Sequence, residues 1–348
     1  MIDIPTLSFC ITCKNRIHQI RQTLRQNLED NPLRQKFIKF TMLNRGNITV
    51  FFHYIKIFSL MKQVIFILIF AFTANYTLSQ SLTISPPIFR HQYDVTTIDS
   101  GNIRILYALN AIDINDTQTY DDIQRLDIGS KFSKYYSSYV YQGDSLKKDF
   151  VKKHPNVKSI PNNLGEDWKK KGSWSLHIWS DYIKDFSKNV FTEYANMPHG
   201  AIPDYQYSEE LPIQKWNLHD ETITIAGHLC RKATCRFRGR NFVAWYATDI
   251  SVSNGPWKFG GLSGLILKLY DNDRYYVFEC IKIEFHAKKF PLFLFDEKRY
   301  QQTERTKLRQ LEKDIYKDYF KVGGVTVTTK DGSPVKFTPL PYHPLELE

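Results

Sequence analysis

Short apolar stretches separated by turns recur through most of this 348-residue chain, at intervals of about 8–12 residues. A strong strand is predicted at 103–112. Further strands are predicted at 123–128, 132–141, 174–183, 190–197, 214–218, 222–226, 229–237, 242–247, 264–270 and 275–285. This rhythm predicts a mainly β (α+β) fold, built from one large, curved antiparallel sheet or from two packed sheets. It does not decide whether the sheet closes on itself.

One prominent helix is predicted near the C-terminus, at 297–320. Leu308, Leu311, Ile315 and Tyr319 follow helical spacing there, and a Gly323–Gly324 pair marks the end of the helix. A short helix is predicted at 145–154 and a last strand at 325–329.

The stretch 255–271 reads GPWKFGGLSGLILKLYD. Gly260, Gly261 and Gly264 predict a chain reversal with close backbone packing, and the apolar residues that follow predict a buried strand. Asp271–Asn272–Asp273 has the form of a metal-binding motif, but its place between two strands favours a plain turn.

Residues 61–80 have the order of a secretory signal peptide: Met61–Lys62–Gln63, an apolar run at 64–74, and a small, polar tail. Eleven apolar residues are too few to span a bilayer, which needs about 20. We therefore expect translation to begin at Met61, cleavage after Ser79 or Gln80, and export to the periplasm or cell surface. A membrane anchor at 48–74 is the competing interpretation, which Lys56 and Lys62 weaken.

The domain prediction has three parts: a spurious or remnant extension at 1–60, the signal peptide at 61–80, and one β-rich domain at 81–348. Of the net charge of +11, residues 1–60 supply +6, from nine Lys or Arg and three Asp or Glu. The remaining domain is nearly balanced, so no nucleic-acid partner is predicted.

The order strand, basic amphipathic stretch, strand at 5–44 resembles the opening of family 2 glycosyltransferases. No aspartate-rich metal strand follows it, and about forty residues cannot bury the core of a nucleotide-binding domain. Cys10 and Cys13 form a lone CxxC, which is a weak zinc or redox signal. A glycosyltransferase activity is therefore the disfavoured alternative.

A second resemblance covers most of 81–348. The segments 230–233, 237–240, 244–250, 255–267 and 344–348 resemble the GLPGLI family of exported proteins from Bacteroidetes-type bacteria. Ser263 stands where the family has proline, which places a rigid-turn role in doubt. The resemblance implies a signal peptide, an envelope location and no assigned catalytic residues.

The best candidate for ligand binding is a set of arginines beside aromatic residues. Guanidinium groups and rings suit acidic sugars, lipid head groups or peptide carboxylates. The alternative is that the tryptophans are core residues and the arginines pair with Asp249 or Glu279. The predicted ligand-binding residues are Arg238, Arg240, Trp245, Tyr246, Asp249 and Trp257.

No catalytic constellation is evident. The histidines make no metal-binding motif, and Gly261–Leu262–Ser263–Gly264 lacks the spacing of a nucleophile elbow. Either Cys230 or Cys235 could pair with Cys280, or all three could be buried thiols.

The sequence thus predicts a non-enzymatic envelope binding or accessory protein without cofactor or metal. Its partner is an unnamed envelope component or ligand, and its mature chain, which has no transmembrane span, could associate peripherally with the outer membrane. The alternative is a carrier of lipid or another apolar ligand in a curved-sheet cavity.

Overall fold

The computed structural model describes residues 95–158, 160, 180–198, 202–329 and 331–348. The predictions made for the CxxC, the glycosyltransferase-like segment, the membrane-anchor alternative and the signal peptide all lie outside the described residues. Within them, twelve strands form one large, curved sheet, which confirms the mainly β prediction and its single-sheet alternative. The described part contains no helix that is both long and apolar enough to cross a membrane.

The strands are numbered in chain order. Their bounds are β1 Val95–Leu109, β2 Asp122–Gly129, β3 Phe132–Ser137, β4 Asp181–Asp185, β5 Val190–Ala195, β6 Tyr205–Glu210, β7 Asn217–Ile225, β8 His228–Phe237, β9 Arg240–Ala247, β10 Leu265–Asp271, β11 Val277–Phe295 and β12 Gln301–Gln302. The spatial order is β12-β6-β5-β4-β3-β2-β1-β11-β10-β9-β8-β7. All neighbours are antiparallel except β12 and β6, which are parallel.

Buried and partly exposed side chains alternate along the strands, and this pattern shows which face of the sheet is packed against the core. On β9, Phe242, Ala244 and Tyr246 are buried, whereas Val243 and Trp245 between them are only partly covered. Successive side chains of a strand point to opposite faces, so one face of the sheet carries the main core.

The first helix, α1 (Ser138–Lys153), begins seven residues earlier than the sequence predicted, and β3 ends four residues earlier. Ser137 causes the change, because its side chain accepts a hydrogen bond from the Val140 amide at 3.1 Å and caps the helix. The tyrosine-rich sequence around it has strand propensity, and the cap overrides that propensity.

The predicted C-terminal helix is divided. A 3₁₀ turn at Glu297–Arg299 and β12 precede α2 (Arg305–Gly323), which ends at Gly324 with a φ of 61°. The left-handed conformation at Gly324 is the helix end that the glycine pair predicted. The buried side chains of α2, Leu308, Ile315 and Tyr319, join the main core.

The glycine-rich stretch forms a loop that packs against β9 and β10. A Cβ placed on Gly264 would lie 2.1 Å from the Ala247 carbonyl oxygen, so the predicted close approach is confirmed. The loop places Trp257 and Phe259 in the core and directs Lys258 towards β6.

The three cysteines that the structure describes are free and buried. Burial raises the pKa of Cys230 to about 11 and that of Cys235 and Cys280 to about 12. The thiols are therefore protonated at neutral pH, and the disulfide alternatives are not realised.

Candidate active site

Charged side chains are concentrated where α2 crosses β5 and β6. Glu193 lies on the same face of β5 as buried Phe191, and Glu209 lies on the same face of β6 as buried Tyr207. A carboxylate at an inward position needs a cation or several donors, because burying it alone is very costly. The cations come from α2, from the loop that carries Lys258 and from the β8–β9 turn.

The first group, which we call the Glu312 cluster, consists of Ser180, Glu193, Arg309, Glu312 and Tyr342. One guanidinium nitrogen of Arg309, Nη2, contacts Glu193 Oε1 at 2.7 Å and Glu312 Oε1 at 3.3 Å. Ser180 Oγ donates to Glu193 Oε1 at 3.0 Å. The Tyr342 hydroxyl donates to Glu312 Oε2 at 3.0 Å. Two carboxylates therefore share one cation.

The pKa of Glu312 is raised to about 7, and burial of its carboxyl group is the largest cause. Arg309 acts in the opposite direction, and repulsion from Glu193 adds to the rise. The Glu193 side chain is 1% exposed, whereas that of Glu312 is 22% exposed. Glu312 is thus the more accessible of the two carboxyl groups that share Arg309.

Two polar atoms of the cluster are buried without a hydrogen-bond partner. They are Glu193 Oε2 and Arg309 Nε. Unsatisfied buried polar groups are uncommon in native proteins and each costs about 1–3 kcal/mol. The Glu312 cluster therefore holds its charges at a cost in stability.

The second group, the Lys258 cluster, consists of Glu209, Arg238, Lys258, Arg305 and Glu346. Lys258 is completely buried, and its ammonium contacts Glu209 Oε1 at 2.7 Å and also Glu346. Arg305 Nη1 lies 2.7 Å from Glu346 Oε2, and Arg238 Nη2 lies 2.7 Å from Glu209 Oε2. Burial tends to raise the pKa of Glu346, but Lys258 and Arg309 outweigh it and lower the pKa below its usual range.

The predicted ligand-binding residues lie at separate places. Arg238 belongs to the Lys258 cluster, and Trp257 is a core residue whose ring centre is 5.2 Å from Lys258 Nζ. Arg240 pairs with buried Asp271 at 3.0 Å and donates to the Pro344 carbonyl oxygen at 2.9 Å. Neither arginine pairs with the expected Asp249 or Glu279. Asp271 lies in the predicted turn.

The other three predicted residues are further from these clusters. Tyr246 is buried in the core, and Trp245 points to the opposite face of β9. Asp249 follows the far end of β9, is 58% exposed, and lies 2.7 Å from His228 Nδ1. The six residues do not form one surface, and ligand binding by them stays a prediction.

Sequence reasoning missed the Glu312 cluster. Its members come from the residue before β4, from β5, from α2 and from the chain that follows α2, and no short motif joins them. One signal was present: Glu193 occupies an inward position of the predicted strand at 190–197. Nowhere in the described residues are three His, Cys, Asp or Glu side chains grouped in a way that could hold a metal ion.

Comparison with known families adds an independent finding. Residues 180–310 match the family model for "N-glycanase peptide, N-terminal domain". The matched segment contains β4 to β12 and the first residues of α2, and with them Glu193, Glu209, Lys258, Arg305 and Arg309. It covers less than half of the chain. A search of curated proteins returned no match.

Two solved structures of PNGF-II, in the C2 and P21 space groups, are similar to this chain at 16% sequence identity. Their TM-scores are 0.39 and 0.38, and each alignment covers 60% of this chain. The alignments cover 32% of the PNGF-II chain, so this protein spans about a third of the length of those structures.

The family match corrects the predictions made from resemblance. The matching family is the N-glycanase N-terminal domain, and neither the GLPGLI assignment nor the glycosyltransferase assignment is supported. The prediction of a non-enzymatic binding or accessory protein, with its carrier and glycosyltransferase alternatives, is contradicted as well, because the matching family is named for an enzyme. The inference failed because the glycine-rich loop and its neighbouring strands were treated as a specific signature.

Proposed function

We propose that this protein cleaves the amide bond between an N-linked glycan and its asparagine, and that the Glu312 cluster is the catalytic site. One observation carries the proposal: Glu312, whose pKa burial raises to about 7, contacts Arg309, which lies just inside the end of the segment that matches the N-glycanase family. Catalytic acids and bases work best when their pKa lies near the working pH.

The chemistry requires a group that accepts a proton and then returns it. Ionised Glu312 takes a proton from water while the water oxygen bonds to the amide carbonyl carbon. The carbon–nitrogen bond then breaks, and Glu312 returns the proton to the departing nitrogen of the glycan. The products are a neutral glycosylamine and an aspartic acid side chain, which then loses its carboxyl proton to water, so atoms and charge balance.

The neighbours of Glu312 hold it in position. Arg309 contacts Oε1 and the Tyr342 hydroxyl contacts Oε2, so both carboxylate oxygens are fixed. Glu193, on the same guanidinium nitrogen, reduces the stabilisation that Arg309 gives to the ionised form of Glu312. Without that competition, the pKa of Glu312 would fall and the group would become a weaker base.

The test is release of glycan from an N-glycosylated peptide by the full chain. We expect free glycan and conversion of asparagine to aspartate, both detected by mass spectrometry. Glu312→Gln should lower kcat/KM by about 10²–10⁴-fold, the usual contribution of a general base. Glu304→Gln is the matched control, because Glu304 immediately precedes the same helix and its side chain is exposed. Absence of release by the wild-type chain, or full activity in Glu312→Gln, would refute the assignment.

The pH dependence provides a separate check. If Glu312 acts as the base, kcat/KM should rise with pH and level off above about pH 7, where the carboxyl is ionised. A profile that is flat between pH 5 and 8 would exclude this role.

We also propose that the protein is exported, as the segment 61–80 predicts. N-terminal sequencing of the native protein should begin near Gln80 or Ser81. Recovery of a chain that retains residues 1–60 would contradict export by this route.

A further inference from the structure

The C-terminal segment, residues 344–348, lies among cations that come from three other parts of the fold. Its central residue, Glu346, is completely buried and pairs with Lys258 from the glycine-rich loop and with Arg305. Arg305 is the first residue of α2, and negative charge is favoured near the N-terminus of a helix. Glu346 thus pairs with two cations, one of which lies at the start of α2.

The residues beside Glu346 make further contacts with the β8–β9 turn. The Leu347 amide donates to the Arg238 carbonyl oxygen at 2.9 Å. Arg240 donates to the Pro344 carbonyl oxygen at 2.9 Å. Arg236 contacts Glu348 Oε1 at 2.9 Å. Cationic side chains therefore line the segment on both sides of its buried carboxylate.

These contacts are those of a bound peptide rather than those of a strand. Among the described residues, the Leu347 amide makes the one backbone–backbone hydrogen bond that joins 344–348 to the rest of the domain. Leu345 is buried, whereas the side chains of Leu347 and Glu348 are exposed. Two residues, Leu345 and Glu346, thus provide the anchoring side chains.

The site would keep its charges if the segment left. Lys258 would still contact Glu209 at 2.7 Å and the Tyr207 hydroxyl at 2.9 Å, and Arg238 would still contact Glu209. Three cations, Arg238, Lys258 and Arg305, would then face one carboxylate. A second carboxylate, carried by an extended chain and preceded by an apolar side chain, would restore the ratio of cations to carboxylates in the site.

We propose that Lys258, Arg305 and Arg238 form a binding site for an extended acidic peptide of a partner protein. Residues 344–348 occupy this site in cis, and the partner segment replaces them. The proposal does not depend on glycan cleavage, because the Lys258 cluster and the Glu312 cluster share no residue.

The test uses the full chain and a labelled peptide with the sequence of residues 341–348, PYHPLELE. In the Glu346→Gln chain the internal segment is weakened, so we expect saturable binding of the peptide by fluorescence anisotropy. Binding to the wild-type chain should be at least about tenfold weaker, because the internal segment competes at high effective concentration. The same peptide with Glu346→Gln should also bind at least about tenfold weaker. A Glu348→Gln peptide is the matched control, since that carboxylate is exposed and should matter little.

Absence of saturable binding to a Glu346→Gln chain that circular dichroism shows to be folded would overturn the proposal. If that variant does not fold, hydrogen exchange of the wild-type chain decides. A displaceable segment requires the Leu347 amide to exchange much faster than the amides of β9. Equal protection of the two would show that the segment leaves only on global unfolding, and that result would overturn the proposal.

Discussion

The Glu312 and Lys258 clusters both join α2 to the sheet through carboxylates and cations, yet their carboxyl groups are perturbed in opposite directions. Glu346 is completely buried, but two cations contact it and its pKa is lowered. Glu312 is more exposed, but it shares one guanidinium nitrogen with Glu193 and its pKa is raised to about 7. Burial tends to raise the pKa of both groups; the cations around Glu346 outweigh that effect, whereas the one guanidinium that Glu312 shares with Glu193 does not.

Lys258→Met should have the largest effect on stability. It removes the cation that Glu209 and Glu346 share and leaves Glu346 buried beside Arg305 alone. Breaking a buried ion pair costs about 3–5 kcal/mol, so the urea midpoint should fall sharply. A decrease of less than about 1 kcal/mol in the free energy of unfolding would show that the Lys258 cluster does not stabilise the fold more than the Glu312 cluster does.

The pH dependence of stability should separate the two carboxyl groups. Folded Glu312 keeps its proton up to about pH 7, whereas the unfolded side chain loses it near 4.5, so this group lowers the free energy of unfolding as pH rises between those values. Glu312→Gln should remove this dependence, and its stability relative to wild type should increase by about 2 kcal/mol between pH 5 and 8.

Glu346 should behave in the opposite way. Its lowered pKa contributes stability that is present above about pH 4.5 and is lost as pH falls through the folded value. Glu346→Gln should therefore differ most from wild type at neutral pH and least in acid. Stability can be measured by urea unfolding at a series of pH values. If the stability of the two variants relative to wild type changed in the same direction with pH, the opposite pKa shifts of Glu312 and Glu346 would be contradicted.

The smallest effect is expected at an exposed pair near the start of the same helix. Lys307 lies 3.0 Å from Glu304, and both side chains are mostly exposed. Exposed i,i+3 pairs contribute about 0.3–0.5 kcal/mol, so Lys307→Gln should change the urea midpoint very little. A loss similar to that of Lys258→Met would mean that the stability measurement does not distinguish buried from exposed pairs.

Much of the sheet could be predicted from the residues. Alternation of buried and exposed residues in β8 and β9 and the helix end at Gly324 depend on neighbours in the chain, and the glycines themselves indicated the close approach at Gly264. Boundaries were less predictable where a local hydrogen bond overrides propensity, as at Ser137. The candidate site was largely missed, because a lone Glu193 or Glu312 in sequence does not reveal which cation it meets.

The sequence by itself determined a β-rich domain with a C-terminal helix, since strand alternation and helical spacing are local properties. Only the tertiary structure decided that Glu193 and Glu312 share Arg309 and that Glu346 fills the site formed by Lys258 and Arg305. The physical reason is that a pKa depends on charges within a few ångströms in space. In these two clusters, those charges come from β5, β6, the β8–β9 turn, the glycine-rich loop, α2 and the C-terminal segment.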